Sequence, residues 1–165
     1  MILPILHYPD KRLRTIAKDV DVFDESLVSL VDDMFETMYE APGIGLAATQ
    51  IDHHHRVIVI DISDNKSEPI CLVNPTITDK YGEIESEEGC LSVPEYFELV
   101  KRYNSIEVKT KNQHGEDFEV KAEGMLSVCI QHEIDHLNGI LFVDRLSKLK
   151  QSRLIKKTKK STKQL

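Results

Sequence analysis

Between residues 24 and 40, Leu27, Leu30, Val31, Met34, Phe35 and Met38 recur at three- and four-residue spacing. That is the period of a helix burying one side. Asp24 stands where a side-chain cap is needed, and Ala41-Pro42-Gly43 ends the helix. The patterns that follow are shorter. Residues 56–62 form a β-branched run, read as a buried strand, and 70–73 form another, expected to stop at Asn74-Pro75. Residues 105–110 and 116–121 alternate apolar and polar positions around Lys111-Asn112-Gln113-His114-Gly115, which predicts an antiparallel hairpin with a Gly-containing turn. Residues 123–138 read as a second main helix, stopped by Gly139. Met125, Cys129, His132 and His136 share one face of it, at i, i+4, i+7 and i+11. A last helix is expected over residues 147–160. Two long helices with several short antiparallel strands predict an α+β fold.

Composition narrows the class. A chain of 165 residues with 41% apolar and 30% charged content is that of one ordinary globular domain. No apolar run approaches the ~20 residues of a membrane span, and Pro4 with the charges from Asp10 onward leaves no signal-peptide core. Three well-separated cysteines, Cys71, Cys90 and Cys129, are no disulfide framework, so a reducing, cytoplasmic setting is expected. The net charge of −7 hides an asymmetry. Residues 146–165 carry eight basic and no acidic side chains, leaving 13 basic against 28 acidic on the rest. Such a tail either has its own partner, nucleic acid included, or complements its acidic body.

The chemistry concentrates in Gln131-His132-Glu133-Ile134-Asp135-His136. Two histidines four apart on a helix reach one cation, and the intervening glutamate can act on a water beside it. The face also carries Met125 and Cys129, so it is expected to point inward, where buried imidazoles need partners. The third ligand decides the class. No Glu follows Glu133 and no His follows His136, the extended H-E-x-x-H-x-x-G-x-x-H pattern fails at Phe142, and Asp144 is the one carboxylate downstream. An upstream thiolate is the strongest candidate. Cys71 reads as core and Cys129 as a small apolar residue, whereas Cys90, between Gly89 and Pro94, sits in a tight backbone able to present its sulfur. A further stretch, Gly43-Ile44-Gly45-Leu46-Ala47-Ala48-Thr49-Gln50, allows close backbone approach to a ligand. It also reads as a plain helix-ending loop.

Three boxes, residues 43–50, Glu88-Gly89-Cys90-Leu91-Ser92 and 131–136, in this order and spacing, resemble those of peptide deformylase. The resemblance covers nearly the whole chain, including Tyr8-Pro9-Asp10, Leu13-Arg14 and 139–142. It implies removal of the formyl group from the N-terminal formyl-methionine of new proteins. It further implies Cys90, His132 and His136 as metal ligands and Glu133 as general base and acid. Gln50 and the Leu91 N–H become donors to the formyl oxygen. Gly45 and Gly89 become backbone contacts to substrate, and Ile44, Met125, Val128 and Cys129 the methionine pocket. Arg102 becomes the partner of Glu88. The native metal implied is Fe(II), one per chain, with Zn, Ni or Co able to substitute.

The expected architecture is then short antiparallel strands around a central metal-binding helix, with an N-terminal helix and a basic C-terminal helix. Residues 1–147 are the catalytic part, and 148–165 the basic tail of the same domain. Expected partners are formyl-methionyl nascent peptides and, through the tail, the ribosome, with no membrane. Ser86 and Phe97 depart from the family's usual apolar and basic residues. His53-His54-His55 reads as an exposed turn. Two rivals stand beside this reading: an unrelated metalloprotease using Asp144, and a non-catalytic metal- or ribosome-binding module.

Overall fold

A computed structural model describes the backbone of residues 1–163, with side chains described through Lys157. Helix α1 spans Glu25–Glu40. Its first turn is capped by the Asp24 carboxylate, which accepts from the N–H groups of Ser26 and Leu27 at 3.1 and 3.2 Å. Five strands follow in one antiparallel sheet, in sequence order: β1 Gly45–Ala47, β2 Val57–Ile60, β3 Ile70–Cys90, β4 Val93–Lys111 and β5 Asp117–Glu123. Helix α2 spans Met125–Leu137 and α3 Lys148–Lys163.

The period of two in β2 shows how the layers form. Val57 and Val59 pack with Leu27, Val31, Met34 and Met38 of α1, while Ile58 and Ile60 pack with Ile130, Ile134 and Leu137 of α2. The sheet therefore lies between the two helices, and every residue of α2 from Ser127 to Leu137 is buried. Gly124, at φ 60°, makes the turn from β5 into α2. After α2 the chain turns at Gly139, at φ 73°, where a Cβ would stand 2.5 Å from the Arg14 carbonyl oxygen.

Strand length and the Gly-rich stretch differ from the sequence pattern. Strand β3 does not stop at Asn74-Pro75 but runs on to Cys90, so β3 and β4 are long and not short. Asn74 adopts φ 52°, and the β3–β4 register shifts between Val73 and Thr76. The irregularity takes Pro75 where no ladder N–H is required. The Asn74 amide is anchored on Val20, accepting from its N–H at 2.8 Å and donating to its carbonyl at 3.0 Å. The Gly-rich stretch after α1 is not a plain loop. From Gly45 onward it forms β1 and a 3₁₀ turn, Ala48–Ile51, whose residues are all buried.

Helix α3 lies against the β3–β4 hairpin. Leu154 is buried in a cluster with Leu141, Phe142 and Leu146. Lys150 pairs with Glu98 at 3.0 Å, and Lys157 donates to the Glu95 carbonyl at 2.9 Å. The side chains of Lys159, Lys160 and Lys163, and residues 164–165 entirely, lie outside the described residues. Among the described residues no helix is long and apolar enough to cross a membrane.

Candidate metal centre and active site

Cys90 ends β3 and pairs with Val93, so Leu91-Ser92 is a two-residue turn with the cysteine at its base. The N-terminal segment ties this turn to the Gln50 turn: the Leu6 N–H donates to the Gln50 carbonyl and the Tyr8 N–H to the Ser92 carbonyl, both at 2.7 Å. On α2, His132 and His136 are one turn apart and face Cys90. One ligand atom from each of Cys90, His132 and His136 lies within 4.8 Å of the other two, and Sγ of Cys90 is 3.3 Å from Nε2 of His136. Among the described residues no other such group of Cys, His and carboxylates occurs. A thiolate and two imidazoles at this spacing fit a first-row divalent cation with an open position.

The surrounding groups fix these side chains. His132 Nδ1 is 2.8 Å from Glu88 Oε1, which leaves Nε2 for the cation. Burial works against charge on His132, but the hydrogen bonds to Cys90 and Glu88 outweigh it and raise its pKa. Burial keeps His136 neutral, with its pKa well below the usual imidazole range. Glu88 is itself gripped twice by Arg102, from Nε at 2.7 Å and Nη2 at 2.9 Å. Although burial opposes it, that grip keeps Glu88 below the usual carboxylate pKa. Phe142, standing where the longer motif would place a third histidine, packs its ring along His132 with centroids 6.0 Å apart.

Glu133 is buried, and its Oε2 has no partner among the described residues. Burial, opposed by the nearby His132, pushes its pKa up to about 7. Gly45 of β1 runs directly beside it: a Cβ there would stand 2.9 Å from Glu133 Oε1 and 2.8 Å from Cys129 Sγ. Glycine is required by that approach. Gln50 is held at both ends. Its Oε1 accepts from the Ala47 N–H at 2.9 Å, and its Nε2 donates to Ser92 Oγ at 3.0 Å, 3.6 Å from the Cys90 sulfur.

The remaining candidates fall around this centre. Val128 and Cys129 are buried on α2, with Cys129 Sγ 3.9 Å from the Ile44 carbonyl. Ile44 is 46% exposed and Met125, at the start of α2, 61% exposed. Phe97 covers Gly89, where a Cβ would stand 2.4 Å from its ring. Cys71 is core, as its strand position predicts. Asp144 is not part of the Cys90, His132 and His136 group. It pairs with Arg14 and accepts from the Leu141 N–H, which removes the support for a protease using it as a ligand. Of the histidine triplet, His53 and His55 are exposed and His54 bonds Asp52 at 2.9 Å.

Sequence reasoning missed the groups behind Arg102. Asp135 bonds both Arg102 and Arg145, and Gln131 bonds the Tyr103 N–H and carbonyl at 3.0 and 2.7 Å. The available signal was an acidic residue in the middle of a helix whose two faces both bury, since such a carboxylate must find a cation.

Residues 2–152 match the family model described as Polypeptide deformylase. The chain belongs to the polypeptide deformylase family. It is 55% identical over 163 residues to the peptide deformylase of Chromobacterium violaceum, covering 99% of this chain and 98% of that one. To the peptide deformylase of Neisseria gonorrhoeae it is 54% identical over 162 residues, covering 98% and 97%. The crystal structure of a Legionella pneumophila peptide deformylase superposes with a TM-score of 0.95 at 52% identity, over 99% of this chain and 96% of that one. The Ehrlichia chaffeensis peptide deformylase, solved in complex with actinonin, gives 0.92 at 42% identity over 97% of each. The chain is a metal-dependent hydrolase that removes the N-terminal formyl group from formyl-methionine of newly made proteins. The boxes that suggested this kinship in the sequence are the segments that meet at the metal centre.

Proposed function

We propose that Cys90, His132 and His136 hold the metal of this deformylase and that Glu133 moves the protons of the reaction. The observation that carries the reading is the convergence of three candidate ligand atoms within 4.8 Å beside a buried carboxylate oxygen that has no partner among the described residues. When bound, the cation supplies Lewis acidity, which polarises a carbonyl and brings the pKa of water toward neutrality. Glu133 takes a proton from the attacking water and gives it to the amine nitrogen as the C–N bond breaks and formate leaves. A carboxylate whose pKa lies at about 7 suits both halves of that exchange.

The oxyanion that grows on the formyl oxygen meets the Gln50 amide and the Leu91 N–H. Both are neutral donors, and one such donor is worth about 3 kcal/mol of transition-state stabilisation. Because Gln50 is already held by Ala47 and Ser92, little ordering remains to be done when substrate arrives. Gly45 and Gly89 present backbone to the peptide, and Ile44, Met125, Val128 and Cys129 receive the methionine side chain. Fe(II) is the native metal in this reading, and Zn, Ni or Co can replace it, because one thiolate with two imidazoles is soft enough to take each. The setting is the cytoplasm. Residues 1–147 are the catalytic part, and the basic tail of residues 148–165 docks the enzyme on ribosomal RNA phosphate near emerging formyl-methionyl chains.

Formate release from a short formyl-methionyl peptide tests the ligand set. Chelator is expected to abolish it and metal to restore it, whereas Cys90→Ala is expected to contain no metal and release no formate. Full metal stoichiometry in Cys90→Ala would overturn the assignment.

A further inference from the structure

Arg145 follows α2 by eight residues and stands at the foot of α3. Its guanidinium grips Asp135 with two parallel bonds, Nε to Oδ2 at 2.6 Å and Nη2 to Oδ1 at 2.7 Å. The same Oδ2 also accepts from Arg102 Nη1 at 2.6 Å. Arg102 thereby spends one nitrogen on Asp135 and has Nε and Nη2 free to hold both oxygens of Glu88, and Glu88 Oε1 in turn faces His132 Nδ1. Arg102 is buried between two carboxylates that compete for one cation. Without Arg145, Asp135 is held by Arg102 Nη1 alone and its Oδ1 loses the partner it has among the described residues. It can then take the Arg102 fork with both oxygens, at the expense of Glu88.

We propose that Arg145 is a positioning residue of the metal centre: by clamping Asp135 it keeps the Arg102 fork on Glu88, and so keeps His132 aimed at the cation. This inference rests on the ligand set given above. It assigns metal retention to a half-exposed residue at the foot of the C-terminal helix, four contacts from His132 and five from the ion. A planar fork is what the geometry uses, so a lysine supplies the charge without the clamp.

The test uses the full-length enzyme loaded with zinc and follows transfer of the metal to a chromogenic chelator. Arg145→Met keeps the side chain's apolar stem at a position 42% exposed, so the fold is expected to persist. It should release zinc about ten-fold faster than the parent, the scale on which groups behind metal ligands act. Arg145→Lys should recover less than half of that loss. Arg12→Met, which removes an equal charge from an arginine paired among the described residues with Asp10 and Asp52, should release zinc at the parent rate. With zinc in excess, the KM of Arg145→Met for a formyl-methionyl peptide should equal the parent's. Release from Arg145→Met within two-fold of the parent would overturn the inference, as would full rescue by Arg145→Lys or an equal acceleration in Arg12→Met. A Cys90→Ala enzyme that still holds zinc would instead overturn the ligand set itself.

Discussion

Glu133 shows what a single residue gains from its surroundings. His132 and His136 beside it on α2 join Cys90 in the group of three, whereas Glu133 does not, and its Oε2 has no partner among the described residues. A buried carboxylate left in that state is costly unless it is used. Replacing it with alanine removes the proposed proton carrier and leaves Cys90, His132 and His136 in place. Glu133→Ala is therefore expected to hold one metal per chain while kcat falls by about 10²–10⁴-fold, the usual worth of general acid–base catalysis. Metal analysis with steady-state kinetics on the same preparation checks this, and a near-normal kcat in loaded enzyme would remove Glu133 from its role. The histidine spacing and the intervening glutamate were plain in the sequence, because i and i+4 share a helix face whatever the tertiary context. The groups that hold Gln50 were not, because Ser92 reaches it from another strand end.

At the level of elements, the site depends on joining a hairpin to a helix. Cys90 and Glu88 lie on β3, Arg102 on β4, and His132 and Asp135 on α2. Arg102 crosses between them with both carboxylates in hand, and its side chain is 2% exposed. Removing one partner of a buried ion cluster leaves uncompensated charge, which typically costs about 3–5 kcal/mol. Arg102→Met is expected to lose that much in denaturant melts of the metal-free protein and to bind metal weakly. A loss under 1 kcal/mol with unchanged metal content would show that the cluster holds neither the hairpin nor His132. Strong periodicity made α1, β2, α2 and the β4–β5 hairpin legible in the sequence. The length of β3 was not legible. Its outer half, from Tyr81 to Glu87, is charged and largely exposed, and the left-handed Asn74 that carries the strand past Pro75 leaves no mark in hydropathy.

On the scale of the whole molecule, charge is divided between an acidic body and a basic last helix. Helix α3 is not a free appendage: Leu154 is buried, and Lys150 and Lys157 are engaged with the hairpin. Cutting the helix off would open the core around Phe142, which packs on His132. Neutralising exposed Lys148, Arg153 and Lys156 to glutamine is the cleaner test of docking. Co-sedimentation of the triple variant with ribosomes at low salt should drop several-fold, since each lost phosphate contact reduces both affinity and its salt slope. Its kcat/KM on a short peptide should stay within two-fold of the parent. Unchanged pelleting would leave the helix as a solvated cover of the core. The metal centre is likewise a property of the folded chain, because Cys90 reaches the two histidines only when the hairpin closes on α2. X-ray absorption at the metal edge of the zinc-loaded enzyme reads that convergence most directly. One sulfur scatterer at about 2.3 Å and two imidazoles at about 2.0–2.1 Å from the ion are expected. A first shell of nitrogen and oxygen alone would contradict it.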